Sequence, residues 1–157
     1  MKLNENQVIN KSEEWLKEKI NEYDLEKWTK EMASKSSLEL YRESKKEIKE
    51  CSYKNDEASI FSFKLKTNTV NLGDRKRFKK EDTSCRLCEE PNEDLQHFVT
   101  TCIALQEERQ KILNLQLPQE ENKKELTRKV IFEQENHKEL LQMFQLRNKK
   151  LKILEEV

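Results

Sequence analysis

Glycine is almost absent from this chain, and that scarcity limits the folds available to it more than any other feature. Gly73 is the only glycine among 157 residues, and Pro91 and Pro118 are the only prolines. β-Sandwiches and barrels need many tight turns, which use both residue types. Lys, Glu, Leu and Gln, which favour helices, are abundant instead,. The sequence therefore predicts an all-α fold of about six helices with little or no β structure.

The composition also excludes several classes of function. A single glycine leaves no glycine-rich phosphate loop, which argues against the nucleotide-binding enzyme folds. Lys and Arg number 31, as do Asp and Glu, so the net charge is near zero. That balance excludes a uniformly basic nucleic-acid coat but leaves room for a local basic patch. With 34% hydrophobic residues, the core must be small,.

The apolar pattern predicts one helical domain over residues 1–157, divided into four regions. These are N-terminal helices (1–56), a buried segment plus a basic loop (57–82), a cysteine-rich segment (83–105) and C-terminal helices (106–157). Apolar and polar side chains alternate along residues 60–65, a pattern that also fits a strand. Because no second strand is available for pairing, we expect a short buried helix there.

Neither a membrane span nor a signal peptide is visible in the chain. The longest apolar run, residues 102–105, is far shorter than the roughly 20 residues that cross a bilayer,. Charged residues interrupt the first twenty positions, unlike the apolar core of a signal peptide. We expect no membrane partner and an intracellular location, nucleus or cytoplasm, although the chain could be a fragment of a longer protein.

Three of the four cysteines and one of the two histidines fall within 18 positions. Cys85, Cys88, His97 and Cys102 have the spacing Cys-x2-Cys-x8-His-x4-Cys, and we call them the Cys3His group. Thiolates and an imidazole suit Zn²⁺, and four protein ligands leave no open coordination position. We therefore expect a structural zinc ion, not a catalytic one, and residues 83–105 are predicted to form a zinc module, called the metal module below. The small core around it is predicted to contain Leu87, Leu95, Phe98, Val99 and Ile103.

Other interpretations of these residues stay open at this point. A Cys85–Cys88 disulfide is also possible. Buried free thiols are a further interpretation, but burial does not explain why the third cysteine and a histidine lie close by. We interpret Cys51 and His137 as lying outside the site.

A basic run precedes the predicted zinc module. Residues 64–80 carry seven basic side chains against one acidic side chain, and residues 81–94 carry six acidic against one basic. Such a run is typical of a solvated face, but its position beside the metal and its aromatic residue favour contact with RNA or DNA phosphates. The predicted nucleic-acid-binding residues are Lys64, Lys66, Arg75, Lys76, Arg77, Phe78, Lys79 and Lys80.

Enzyme activity is not expected from this sequence. No paired acidic cluster could hold two magnesium ions, and two histidines give no arguable Ser-His-Asp order. We expect no catalytic residues and no small-molecule substrate. The alternative to nucleic-acid binding is an interaction module whose C-terminal helix docks on a protein partner or forms a homodimer, although its apolar stripe also fits core packing. That stripe consists of Leu140, Phe144, Leu151 and Leu154.

A pattern between Trp28 and Ile112 combines residues 35–41, residues 60–69, the Cys3His group and Arg109. It resembles the C-terminal, post-polymerase region of non-LTR (LINE-type) retrotransposon reverse transcriptases. The resemblance implies a zinc-binding segment, with the Cys3His group as ligands, that helps hold RNA or target DNA during target-primed reverse transcription. The family's paired-aspartate polymerase motif and its endonuclease signature are missing from the sequence. The resemblance therefore implies a tail segment on its own or a domesticated descendant.

Overall fold

The computed structural model describes residues 12–45, 54–73, 82–115, 123–132 and 136–156. Its α-helices are α1 (Glu13–Ala33), α2 (Glu39–Ser44), α3 (Glu57–Lys66), α4 (Gln106–Leu113), α5 (Lys123–Phe132) and α6 (His137–Glu155). Short 3-10 turns cover Ser36–Leu38 and Ile103–Leu105, and a π-helical turn covers His97–Thr101. No strand occurs in the described ranges, which confirms the all-α prediction. None of these helices is both long and apolar enough to cross a bilayer.

The chain divides into two compact units, Met1–Cys51 and Ser52–Val157. The division lies close to residue 56, where the sequence ends the predicted N-terminal helices. Each unit has its own set of internal contacts. The single domain expected over residues 1–157 stays a prediction.

The first unit contains α1 and α2. Ser12 caps α1 by accepting a hydrogen bond from the Trp15 amide at 3.3 Å, and acidic residues in the first turn suit the helix dipole,. At the other end of α1, Arg42 Nη1 donates to the carbonyl of Ala33 at 2.8 Å. This side chain from α2 therefore satisfies a carbonyl that α1 itself leaves without a partner.

Helix α3 begins at a well-formed cap. The Asp56 carboxylate accepts hydrogen bonds from the Ser59 amide at 2.9 Å and from the Ser59 hydroxyl at 3.0 Å,. Phe61 and Leu65 on one face are buried. The prediction of a helix here, and not a strand, is confirmed.

Helix α6 supplies the inner wall of the second unit. Leu140 and Met143 are fully buried, and the Phe144 ring lies 4.9 Å from Phe61 and 5.8 Å from Phe98, measured between centroids. The apolar stripe of α6 thus packs into the core along its first half. Farther along, Leu154 is 53% exposed.

The core predicted around the metal module is mostly correct. Leu95, Phe98 and Val99 are buried, and Leu87 is partly buried. Ile103 was wrongly included, because its side chain is 66% exposed. It opens the 3-10 turn Ile103–Leu105, and the buried residue of that turn is Leu105.

Candidate metal centre

The first two cysteines lie on a tight loop. The Cys85 amide donates to the Glu90 carbonyl at 2.8 Å, and the Glu89 amide donates to the Cys85 carbonyl at 2.7 Å. Glu89 adopts a positive φ of 64°, which closes the loop. This backbone geometry brings the side chains of Cys85 and Cys88 to the same cluster.

His97 and Cys102 are brought together by the π-helical turn. The Asp94 carboxylate accepts a hydrogen bond from the His97 amide at 2.7 Å, and the Cys102 amide donates to the His97 carbonyl at 2.8 Å. In a regular α-helix, residues five apart point about 140° away from each other around the axis. The wider i→i+5 turn therefore helps both side chains face one point, and such turns are frequent at functional sites.

The side chains of the Cys3His group converge on one small volume. Cys102 Sγ lies 3.9 Å from Cys85 Sγ and 3.8 Å from Cys88 Sγ, and Cys88 Sγ lies 3.4 Å from His97 Nε2. All four donor atoms lie within 4.8 Å of one another. The three cysteines are free, so a Cys85–Cys88 disulfide does not form. The group could hold a metal ion, as its spacing predicts.

The three thiols shift one another's pKa values in opposite directions. The hydrogen bond with Cys102 lowers the pKa of the Cys85 thiol, whereas burial raises the pKa of Cys88. The hydrogen bond to Cys85, together with burial, raises the pKa of Cys102. One thiolate thus forms at the expense of its neighbours, because like charges this close repel. A bound metal cation would allow all three to ionise.

The second nitrogen of His97 faces a hydroxyl group. Thr101 Oγ1 lies 3.4 Å from His97 Nδ1, while Nε2 faces the cysteines. Contact at the outer nitrogen helps to orient the imidazole, which is typical of metal-bound histidines.

Arg109 of α4 donates hydrogen bonds to the backbone in and just after the π-helical turn. Its Nε donates to the Val99 carbonyl and its Nη2 to the Cys102 carbonyl, both at 2.9 Å. The side chain is 1% exposed, and Nη1 has no hydrogen-bond partner among the described residues. Burial lowers the pKa of this guanidinium. A buried cation is therefore held against the backbone of a ligand residue.

A second buried cation approaches from α6. Arg147 Nε and Nη2 each lie 2.6 Å from a carboxylate oxygen of Glu93, and Glu93 Oε1 lies 3.8 Å from Cys85 Sγ. Glu93 Oε2 also accepts the Gly73 amide at 2.8 Å. A Cβ atom on Gly73 would lie 2.6 Å from the Thr83 carbonyl oxygen and 2.8 Å from Glu93 Cβ. The only glycine is therefore required where the chain passes the metal module.

The predicted nucleic-acid-binding residues fall into three groups. Lys64 is exposed on α3. Lys66 is only 7% exposed, with its ammonium 5.8 Å above the Phe132 ring, so it is poorly placed for a phosphate contact. The others lie outside the described residues: Arg75, Lys76, Arg77, Phe78, Lys79 and Lys80.

Sequence reasoning missed Glu93, Arg147 and Gly73 as parts of the site. One signal was available for Arg147: it lies seven residues after Leu140, on the apolar face of α6. A charged residue on a buried helix face calls for a buried partner. Of the residues interpreted as outside the site, His137 is partly buried at the start of α6, and Cys51 lies outside the described residues.

Comparison of the chain with protein-family models, curated proteins and solved structures finds no match.

Proposed function

We propose that the chain is a non-catalytic module in which a structural zinc ion organises a helical body that binds nucleic acid. The convergence of the Cys3His group carries the metal part of this proposal. With Zn–S bonds of about 2.3 Å and a Zn–N bond of about 2.0 Å, a regular tetrahedron has edges of roughly 3.8 Å between sulfurs and roughly 3.5 Å from sulfur to nitrogen. The distances from Cys102 Sγ to the other two sulfurs, 3.8 and 3.9 Å, and from Cys88 Sγ to His97 Nε2, 3.4 Å, fit those lengths.

The buried charges favour a divalent ion. Three thiolates and Glu93 carry four negative charges, whereas Arg109 and Arg147 carry two positive charges, with His97 neutral as a ligand. A divalent cation would bring this group to neutrality, which a low-dielectric interior strongly favours. Zinc combines that charge with a preference for sulfur and nitrogen donors.

A four-ligand site also explains why the metal would be structural. Catalytic zinc keeps one position for water or substrate, whereas Cys3His fills all four. The ion would stabilise a unit with a small core, since structural zinc contributes on the order of 10 kcal/mol to the folding of small modules.

Support for nucleic-acid binding comes from the two ends of the most basic stretch. Gly73 donates its amide to the Glu93 carboxylate, and Thr83 accepts the Glu93 amide at 2.9 Å. Gly73 and Thr83, which lie on either side of residues 74–81 in the sequence, therefore both contact one residue of the metal module. Residues 74–81 carry five basic side chains. Clustered Lys and Arg held on a rigid base can neutralise several phosphates.

The resemblance to the post-polymerase region of LINE-type reverse transcriptases supports the same function, and we propose a retrotransposon-derived origin on that basis. The alternative, docking of the α6 stripe on a partner, has less support because Leu140 is buried and the Phe144 ring packs against Phe61 and Phe98 in the unit's own core. We place the module in the nucleus or cytoplasm, where reducing conditions keep thiols available.

Metal analysis of the purified protein tests the first half of the proposal. We expect about one equivalent of zinc, lost in Cys88→Ser together with helical signal around the module. The matched control is Ser84→Ala, which removes a neighbouring half-buried hydroxyl, bonded to Asp82, but no ligand. A folded protein without bound zinc after zinc addition would refute the metal assignment.

A salt series tests the second half. The triple variant Arg75→Glu, Lys76→Glu and Arg77→Glu should lose most affinity for an RNA or DNA oligonucleotide, and wild-type binding should weaken steeply with salt. The control reverses three exposed lysines of α6 and should retain most affinity; these are Lys138, Lys149 and Lys152. Equal affinity of the first variant and the wild type would refute the interface.

A further inference from the structure

The Glu93–Arg147 pair is the most deeply buried ion pair among the described residues. Its side chains are only 5% and 7% exposed, and two contacts of 2.6 Å give it a bidentate geometry. Removing a single partner from such a pair leaves an uncompensated buried charge and is strongly destabilising. The pair joins residues 54 positions apart in the sequence.

The pair reaches the metal centre through Glu93. This residue lies between Cys88 and His97 in the chain, and its Oε1 is 3.8 Å from Cys85 Sγ. A carboxylate this close to a thiolate repels it unless a cation neutralises one of them. Arg147 neutralises Glu93 and fixes the direction of its oxygens, because both forks of the guanidinium are engaged.

A hydrogen bond and a second ion pair also join α6 to the same module. Lys150 Nζ donates to the Ala104 carbonyl at 2.8 Å and pairs with Glu108 at 2.6 Å. Arg86, between the first two cysteines, pairs with Glu155 at 2.6 Å. The Arg86–Glu155 pair is about half exposed on both sides, so it adds little stability,. Helix α6 therefore contacts the metal module along three successive turns.

We propose that Glu93 and Arg147 form an outer-shell pair of the metal centre, which couples metal binding to the docking of α6. With the pair in place, Cys85 is held in a neutralised environment that accepts a divalent ion. With the metal bound, the loop that carries Glu93 is fixed and presents its carboxylate to α6. Metal binding and docking of α6 therefore favour each other, and the coupling free energy is the same in both directions. The inference rests on the metal part of the proposed function and is independent of nucleic acid.

Zinc affinity of the full chain tests one direction of the coupling. Zinc titration in competition with a chromophoric chelator should show affinity lowered about 10- to 100-fold in Arg147→Met, the range seen when an outer-shell partner is lost. Glu155→Gln breaks the exposed pair on the same helix and should change the affinity less than about threefold. The double variant Glu93→Gln with Arg147→Met should lose less than the product of the two single losses, because the buried carboxylate is gone.

Hydrogen exchange of α6 tests the other direction. Amides of residues 140–150 should exchange more slowly with zinc than with a chelator in the wild type, and this difference should shrink in Arg147→Met. If Arg147→Met fails to fold, Arg147→Lys replaces it, because lysine keeps the charge with fewer donors. This variant should show a smaller loss of zinc affinity and a smaller loss of zinc-dependent protection in α6.

Two results would overturn the coupling. One is a folded Arg147→Met or Arg147→Lys variant that binds zinc as tightly as the wild type. The other is wild-type α6 with the same protection in zinc and in chelator. Either result leaves the zinc site standing, whereas retention of zinc by Cys88→Ser removes the site itself, so the two failures are distinguishable.

Discussion

Replacing Arg109 by methionine should cost more stability than any exposed charge change in the second unit. Arg109 donates to the carbonyls of Val99 and Cys102, both at 2.9 Å, and both acceptor residues are at most 1% exposed. Methionine fills a similar volume but makes neither hydrogen bond, and the Cys102 carbonyl then keeps only the Leu105 amide, at 3.2 Å. The perturbation is therefore largely the loss of two buried hydrogen bonds from a charged group.

The expected magnitude follows from two opposing effects. Hydrogen bonds to a charged group contribute about 1.5–3 kcal/mol each, which for two bonds gives roughly 3–6 kcal/mol. The variant also avoids burying the guanidinium, whose Nη1 has no partner among the described residues. We therefore expect a net loss of about 3 kcal/mol, within the range for breaking a buried charged contact.

Urea unfolding followed by circular dichroism, with excess zinc, measures this loss. The same measurement with a chelator should show a smaller loss, because a centre of three thiolates and one divalent ion carries a net negative charge that Arg109 balances. Arg128→Met is the matched control: Arg128 forms an i,i+3 pair with Glu125 on α5, and the two side chains are 23% and 63% exposed. That change should cost about 0.5 kcal/mol or less.

A loss below about 1 kcal/mol for Arg109→Met in zinc would refute this reasoning, because ordinary substitutions already cost that much. Equal losses in zinc and in chelator would contradict the charge argument alone.

Three other predictions follow from the same structure. Gly73→Ala should destabilise the second unit by roughly 1–3 kcal/mol, because the new Cβ would meet the Thr83 carbonyl oxygen at 2.6 Å, and thermal unfolding at an unchanged temperature would argue against it,. Met143→Ala should cost roughly 2–5 kcal/mol in urea unfolding, since the side chain is fully buried,; a loss near zero would mean that α6 is not docked. Hydrogen bonds from Ser59 lower the pKa of Asp56, so its stabilising effect is complete above its ordinary value of 3.8 and is lost as the pH falls through the folded-state value,. Asp56→Asn should remove that part of the acid dependence, and an unchanged acid limb would contradict the assignment.

The metal site was largely predictable because its ligands are close in sequence. A Cys-x2-Cys loop and a His-x4-Cys turn span 18 positions, so local backbone geometry can bring each pair together,. The helical character was predictable for a similar reason, since it depends on the scarcity of glycine and on apolar spacing. The short α3 was predictable once no pairing strand could be found.

The surroundings of the site depended on contacts between distant residues. Nothing near Arg147 in the sequence indicates Glu93, 54 residues earlier, and Gly73 shows its purpose only when Thr83 lies against it. Ile103 has the apolar character of a core residue, yet the turn after Cys102 directs it outward. Lys66 belongs to a basic run, yet it packs over Phe132.

Local spacing selects the helices and the ligand pattern, because those depend on neighbours a few residues away. Tertiary packing selects which charges are buried and paired, because desolvation depends on what the whole fold places beside them.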